Sequence, residues 1–250
     1  MFPENLQDRE KYIEDHVISG DFDAKWTELI HESGGRRLKL NVMDDALKID
    51  GVRVNVSAKL SQRLADLFDA SLPTPLVADL MYRHAVRRAV PRPMPISTSV
   101  TSMLKHSTDV GKQIDVGAGL ASTVGKHWVL DKQLETKPGK ACNYGWHFTG
   151  SSYQGINGFP AATKEAGLNV RVIQPNATAH DPFHSDYSQI CQLVSQLCWL
   201  DDVEVRFSDL LKDPTLHFLV SHQGPLSIDR QPGVPKTNPI LVLFPIDIIV

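Results

Sequence analysis

The chain has 250 residues, 42% of them hydrophobic and 22% charged, the composition expected of a soluble globular protein long enough to bury a core without disulfide or metal staples. A net charge of −3 supplies no field for nucleic acid or an anionic membrane. Three cysteines, Cys142, Cys191 and Cys198, form no CxxC pair, which argues against a disulfide framework or a zinc-binding pair.

Residues 4–18 gather Leu6, Tyr12, Ile13 and Val17 on one side of a charged segment, which predicts a helix. This charged start lacks the apolar stretch of a secretory signal, and no apolar run reaches bilayer length. The expected setting is therefore the cytoplasm or a particle. From 36 to 56, RRLKLNVMDDALKIDGVRVNV alternates apolar and polar residues, the pattern of a β-meander or paired hairpins. Ser57 is placed to cap a helix with Leu60, Leu64, Leu67 and Phe68 on one face, and Pro75 suits the first turn of the next.

Alternate prolines, Pro91, Pro93 and Pro95, exclude a helix or central strand. The connector 91–96 either separates an N-terminal lobe, 1–90, from a main lobe, 97–250, or wraps a single domain spanning 1–250. Wrapping is preferred, because the earlier strands need a partner layer. TSVTSMLKHSTDVGKQI reads as a helix, and KHWVLDKQL and KACNYGWHF as strands joined at Pro138-Gly139. Residues 150–169, rich in Gly, Ser and Asn, read as a long loop, and LNVRVIQ as a strand.

SDYSQICQLVSQL sets Tyr187, Ile190, Cys191, Val194 and Leu197 at helical spacing and predicts a helix from Asp186. DDVEVRF reads as a strand and SDLLKDP as a short capped helix. The apolar end PILVLFPIDIIV completes a sheet in this chain or in a neighbour, making 239–250 a candidate contact for a homo-oligomer or particle. The mixture predicts an α+β fold, a mixed or antiparallel sheet with flanking helices.

Chemistry concentrates in two segments. On a regular strand Cys142, Tyr144, Trp146 and Phe148 share the core face, so His147 faces away from it, beside a glycine that leaves room for an approaching group. In NATAHDPFHSDYS, His180, Asp181, His184, Asp186 and Ser188 fall close together, and Pro182 makes that segment a loop. One site follows from His147 as general acid or base, Asp186 as its orienting carboxylate, and Ser188 or water as nucleophile. Lys126 would lend positive charge near an oxyanion. Trp128, Tyr144, Trp146 and Tyr187 would line a substrate platform. A second site uses His180, His184 and Asp186, with His147 as a further candidate, as ligands to a divalent metal; no other cofactor is implied. Cys142 and Cys191 read as packing residues, and no Walker loop or GxGxxG follows a strand.

The segments LPTPLVADLMY, GKHWVLDKQL, NYGWHF, HDPFHSDYSQ and LLKDP resemble a group of bacterial and phage-encoded proteins over residues 55 to 225. The matching positions are Lys126, Tyr144, Trp146, His147, Asp186, Tyr187 and Ser188, and the resemblance carries over no mechanism or substrate. Two functions are expected from these residues. The first is a hydrolase or group-transfer enzyme acting on a cell-envelope peptide or glycan. The alternative is a structural or assembly protein, such as a virion component, joined through residues 239–250.

Overall fold

The computed structural model describes the whole chain except residues 151, 155–159, 163, 166, 167, 169 and 241–250. Helix α1 (Leu6–Ser19) starts where the Asn5 side chain accepts from the N–H groups of Gln7 and Asp8, and it buries Ile13 and Val17. Strands β1 (Trp26–Ser33) and β2 (Arg36–Met43) form a hairpin. Its turn needs two left-handed residues, supplied by Gly34 and Gly35 at φ +56° and +73°. A second, shorter hairpin pairs β3 (Lys48–Ile49) with β4 (Val52–Arg53).

Ser57 caps α2 (Ala58–Leu67) through the Leu60 N–H, as its position in the sequence predicts. After β5 (Ala70–Ser71), Thr74 caps α3 (Pro75–His84), with Pro75 in the first turn. Strand β6 (Arg87–Arg88) precedes the proline-rich run, which holds neither helix nor strand. Then follow α4 (Val100–Ile114), capped by Ser99, and β7 (Ala121–Ser122).

The second half contributes β8 (Lys126–Val129), β9 (Cys142–Phe148), β10 (Ser152–Gln154), β11 (Pro160–Ala162), β12 (Lys164–Glu165) and β13 (Arg171–Ala177). It ends with β14 (Gln189–Ile190), β15 (Val194–Leu200), β16 (Val203–Arg206) and α5 (Phe207–Lys212). The stretch expected as a loop thus contains, among its described residues, a β10–β11 hairpin and β12.

Two five-stranded sheets organise the molecule. In the first, β1, β2, β15 and β16 lie side by side, with β5 also on β15, all antiparallel. Strand β15 pairs with β2 across most of the chain length, so residues 26–43 and 194–206 build one sheet. In the second, the order is β12-β13-β9-β8-β14, antiparallel except for the parallel β8–β14 pair. The architecture is α+β. Leu38, Leu40, Val42, Leu64, Val77, Met81, Leu193 and Phe207 are buried in one core, each such side chain contributing about 1.5–3 kcal/mol. No helix among the described residues is long and apolar enough to cross a membrane.

The helix expected from Asp186 is instead two strands, β14 and β15. Long-range pairing overrides the helical spacing: β15 is hydrogen-bonded by β2, β5 and β16, and Val194 and Cys198 are buried there. Gln192, between the two strands, donates its amide to the carbonyls of Met43 and Ala121. A helix could not deliver these cross-chain bonds. Of the predicted terminal strand, 239–250, residues 241–250 lie outside the described residues.

Candidate functional site

The site is shaped by a kink in β9. Gly145 has φ +122° and Trp146 φ +53°, a left-handed conformation that costs a non-glycine residue about 1–3 kcal/mol. Regular alternation would put Tyr144 and His147 on opposite faces; with two left-handed residues between them, both point at α3. There the Tyr144 hydroxyl donates to Asp79 Oδ1 at 2.6 Å, and His147 Nε2 lies 2.8 Å from the same oxygen. A carboxylate oxygen accepts, so Nε2 carries the hydrogen. Tyr82, one turn along α3, stacks on the imidazole at 4.9 Å.

This side of the sheet is sealed: Asp79 is 0% and His147 1% exposed. His127, on β8, packs against it. A Cβ on Gly145 would lie 3.3 Å from His127 Cδ2 and 3.8 Å from His147 Nδ1, so glycine suits both the left-handed backbone and the crowding of two rings. Burial, reinforced by His147, pushes the His127 pKa down to about 3, leaving a neutral ring at pH 7. The expected outward-facing His147 paired with Asp186 is therefore replaced by a buried His147 paired with Asp79. The glycine marked a kink rather than an approach path.

The opposite face carries Lys126, Trp146 and the segment 180–188. Lys126 Nζ lies 3.6 Å from Asp186 Oδ2 and 5.4 Å from the centre of the Trp146 ring. The Lys126 N–H donates to the Ser188 carbonyl at 2.7 Å, which holds β14 beside β8 and fixes the carboxylate over the ammonium. Asp186 Oδ1 accepts from the Ser188 N–H at 2.8 Å and from its hydroxyl, and Oδ2 from Gln189 Nε2 at 3.3 Å. His184 Nε2 stands 3.8 Å from Oδ2, close enough for charge pairing though beyond hydrogen-bond length. His180 stacks face to face on His184, centroids 3.9 Å apart, and meets the Trp128 ring edge-on. From α4, His106 reaches within 5.5 Å of the Tyr187 ring and 6.3 Å of the Trp146 ring.

Burial pushes the Asp186 carboxyl up, but His184, Lys126 and Ser188 together outweigh it and hold the pKa well below the usual range. For Lys126 burial wins over Asp186, and the ammonium pKa is lowered. Burial carries His106 down to about 4 against the pull of Asp186. Trp146 Nε1, His106 Nδ1 and His184 Nε2 are buried nitrogens without a hydrogen-bond partner. Each such orphan costs about 1–3 kcal/mol. Exposure grades outward, from 5% for the Asp186 side chain and 11% for Lys126 to 26% for His184.

Of the residues singled out in the sequence, Lys126, Trp146, His180, His184, Asp186, Tyr187 and Ser188 converge on this face, whereas His147 and Tyr144 belong to the other. Ser188 is fully buried and donates its hydroxyl to Asp186. Trp128 is core, donating its indole N–H to the Val56 carbonyl. Tyr187 pins the proline-rich run through the backbone of Met94. The rings of His180 and His184 stack rather than converge, and no group of three His, Cys, Asp or Glu among the described residues could hold a metal ion. Burial pushes the Cys142 thiol up, and those of Cys191 and Cys198 up to about 12; all three are buried thiols.

Asp79, Tyr82, His106 and His127 escaped the sequence reading. Asp79 and Tyr82 had a detectable signal, a carboxylate and a phenol three apart inside the apolar face of a helix. His106 and His127 had none beyond their residue type. No family model, curated protein or solved structure matches this chain.

Proposed function

We propose that the chain is a hydrolase or related group-transfer enzyme centred on Lys126, Asp186 and His184. The observation that carries this reading is a half-buried imidazole, His184, backed by the carboxylate of Asp186, beside an ammonium that has open donor positions. In this arrangement Asp186 lies beside the imidazole and orients it, placing His184 to take a proton from an attacking water. Lys126 and the Trp146 indole N–H are donors for the oxyanion that develops on a carbonyl or phosphoryl centre. Water is the nucleophile this geometry favours, because the Ser188 hydroxyl is enclosed and bonded to Asp186. The oxygens of Asp186 already have donors, whereas nitrogens around it lack acceptors. The complementary substrate therefore presents acceptor oxygens, as envelope peptides and glycans do.

Turnover of ester, amide and glycosidic substrates, envelope fragments included, tests the reading. His184→Ala and Lys126→Met are each expected to lower kcat/KM by about a hundred-fold or more. Wild-type turnover in both variants would remove this site, and a wild-type protein silent on every class would remove the enzymatic reading.

A further inference from the structure

We infer that Asp79 is a positioning residue for the site on the far side of its sheet: one carboxylate oxygen clamps both flanks of the Gly145–Trp146 kink and so holds Trp146 over Lys126. The inference rests on the proposed function only for what the positioning serves. The clamp itself is a matter of geometry. Tyr144 and His147 are three positions apart, a separation that in a regular strand would point them in opposite directions. They can reach the same oxygen, at 2.6 and 2.8 Å, only because the two residues between them are left-handed.

The converse also holds. Tryptophan does not favour φ +53° by itself, so something must hold it there, and the bonds at positions 144 and 147 bracket it. Tyr82 stacked on His147 keeps the imidazole in plane, and the Thr123 hydroxyl donates to the His147 carbonyl at 3.1 Å. Release of either flank would let the strand return to ordinary alternation. Trp146 would then rotate away from Lys126, taking the indole N–H with it. Among the described residues the hydrogen bonds of the Asp79 side chain go to Tyr144 and His147, so it acts through the backbone of β9.

The test is the indole N–H resonance of Trp146 in a two-dimensional nitrogen–proton spectrum of the full chain, assigned with Trp146→Phe and read without substrate. Asp79→Ala is expected to move the Trp146 signal by more than a linewidth and leave that of Trp199, on β15, in place. Asp79→Asn keeps an acceptor oxygen for both donors and is expected to restore the wild-type position. If Asp79→Ala fails to fold, His147→Ala, which leaves the Tyr144 bond intact, is judged by the same criterion. An unmoved Trp146 signal in the folded variant overturns the inference, as does an Asn variant displaced as far as the Ala variant. Because no turnover is read, failure of the clamp and failure of the proposed reaction are separate results.

Discussion

The two faces of the β8–β9 pair hold similar side chains in opposite circumstances. Toward α3, an aspartate, a tyrosine and two histidines are enclosed; Asp79 collects two donors on one oxygen, while its Oδ2 and the Nδ1 atoms of His127 and His147 have no partner. Toward the segment 180–188, an aspartate, a lysine and three histidines grade from buried to half-exposed, with buried nitrogens left over. Both clusters leave buried atoms without partners, so what separates them is access: a cluster that is enclosed specifies a shape, whereas one that grades into solvent can meet a ligand. The comparison assigns stability to the first face and chemistry to the second, and substitutions on each should separate the two properties.

The largest effect is expected from Asp79→Ala. It strips the acceptor from the Tyr144 hydroxyl and His147 Nε2, two donors on buried side chains. Leaving both unpaired costs about 2–5 kcal/mol. Urea denaturation measures this, and a loss below that of a surface substitution would mean that the enclosed face is not the structural one.

Acid should act next. The His127 pKa falls from an ordinary 6.5 to about 3 in the folded protein, so the unfolded chain takes up its proton first. Stability from this group is complete above about pH 6.5 and declines as the pH falls toward 3, a loss of about 3 kcal/mol by pH 4. His106, lowered to about 4, acts in the same direction from the other face. His127→Phe should flatten the pH dependence of unfolding between 6.5 and 4 more than His106→Phe does. Equal stability of the wild type at pH 7 and pH 4 would contradict the burial of both rings.

Much of the scaffold was legible because local rules and tertiary needs agree there. The cap Ser57, the first-turn Pro75 and the prolines at 91, 93 and 95 each restrict the backbone wherever they occur. The reading failed where long-range pairing decides. Tyr187, Ile190, Cys191, Val194 and Leu197 have helical spacing, yet Val194 opposes Val42 and Ser71 in a sheet. The site was half legible for a related reason. Lys126, His184, Asp186 and Ser188 lie on adjoining strands and their lead-in, so segment-level reading brought them together. The role of His147 depends on two backbone angles, and no periodicity argument anticipates a left-handed tryptophan. Gly145 was noticed, but a strand glycine signals a bulge or a close approach equally.

Lys126→Met should reverse the pattern seen with Asp79. Asp186 keeps the Ser188 and Gln189 bonds, which holds the stability loss to about 3 kcal/mol, the lower end for removing one partner of a buried ion pair, while turnover falls about a hundred-fold. A variant that loses stability and activity in the proportion expected for Asp79→Ala would erase the distinction between the faces.

The smallest effect separates water from Ser188 as nucleophile. The Ser188 hydroxyl and N–H both bond Asp186 Oδ1, closing a tight turn that delivers the carboxylate to Lys126 and His184. In Ser188→Ala the N–H bond survives and only the hydroxyl is lost, at about 1 kcal/mol of stability. Asp186 then loses one of the interactions holding its pKa down, so its folded-state pKa rises toward the ordinary value. The stability that this carboxylate contributes above pH 3.8 is correspondingly reduced. Turnover should persist within about ten-fold of the wild type, since the attacking water and its imidazole base are untouched. Complete loss of activity in a folded Ser188→Ala protein would make the serine the attacking group, and would require the segment 180–188 to open before reaction.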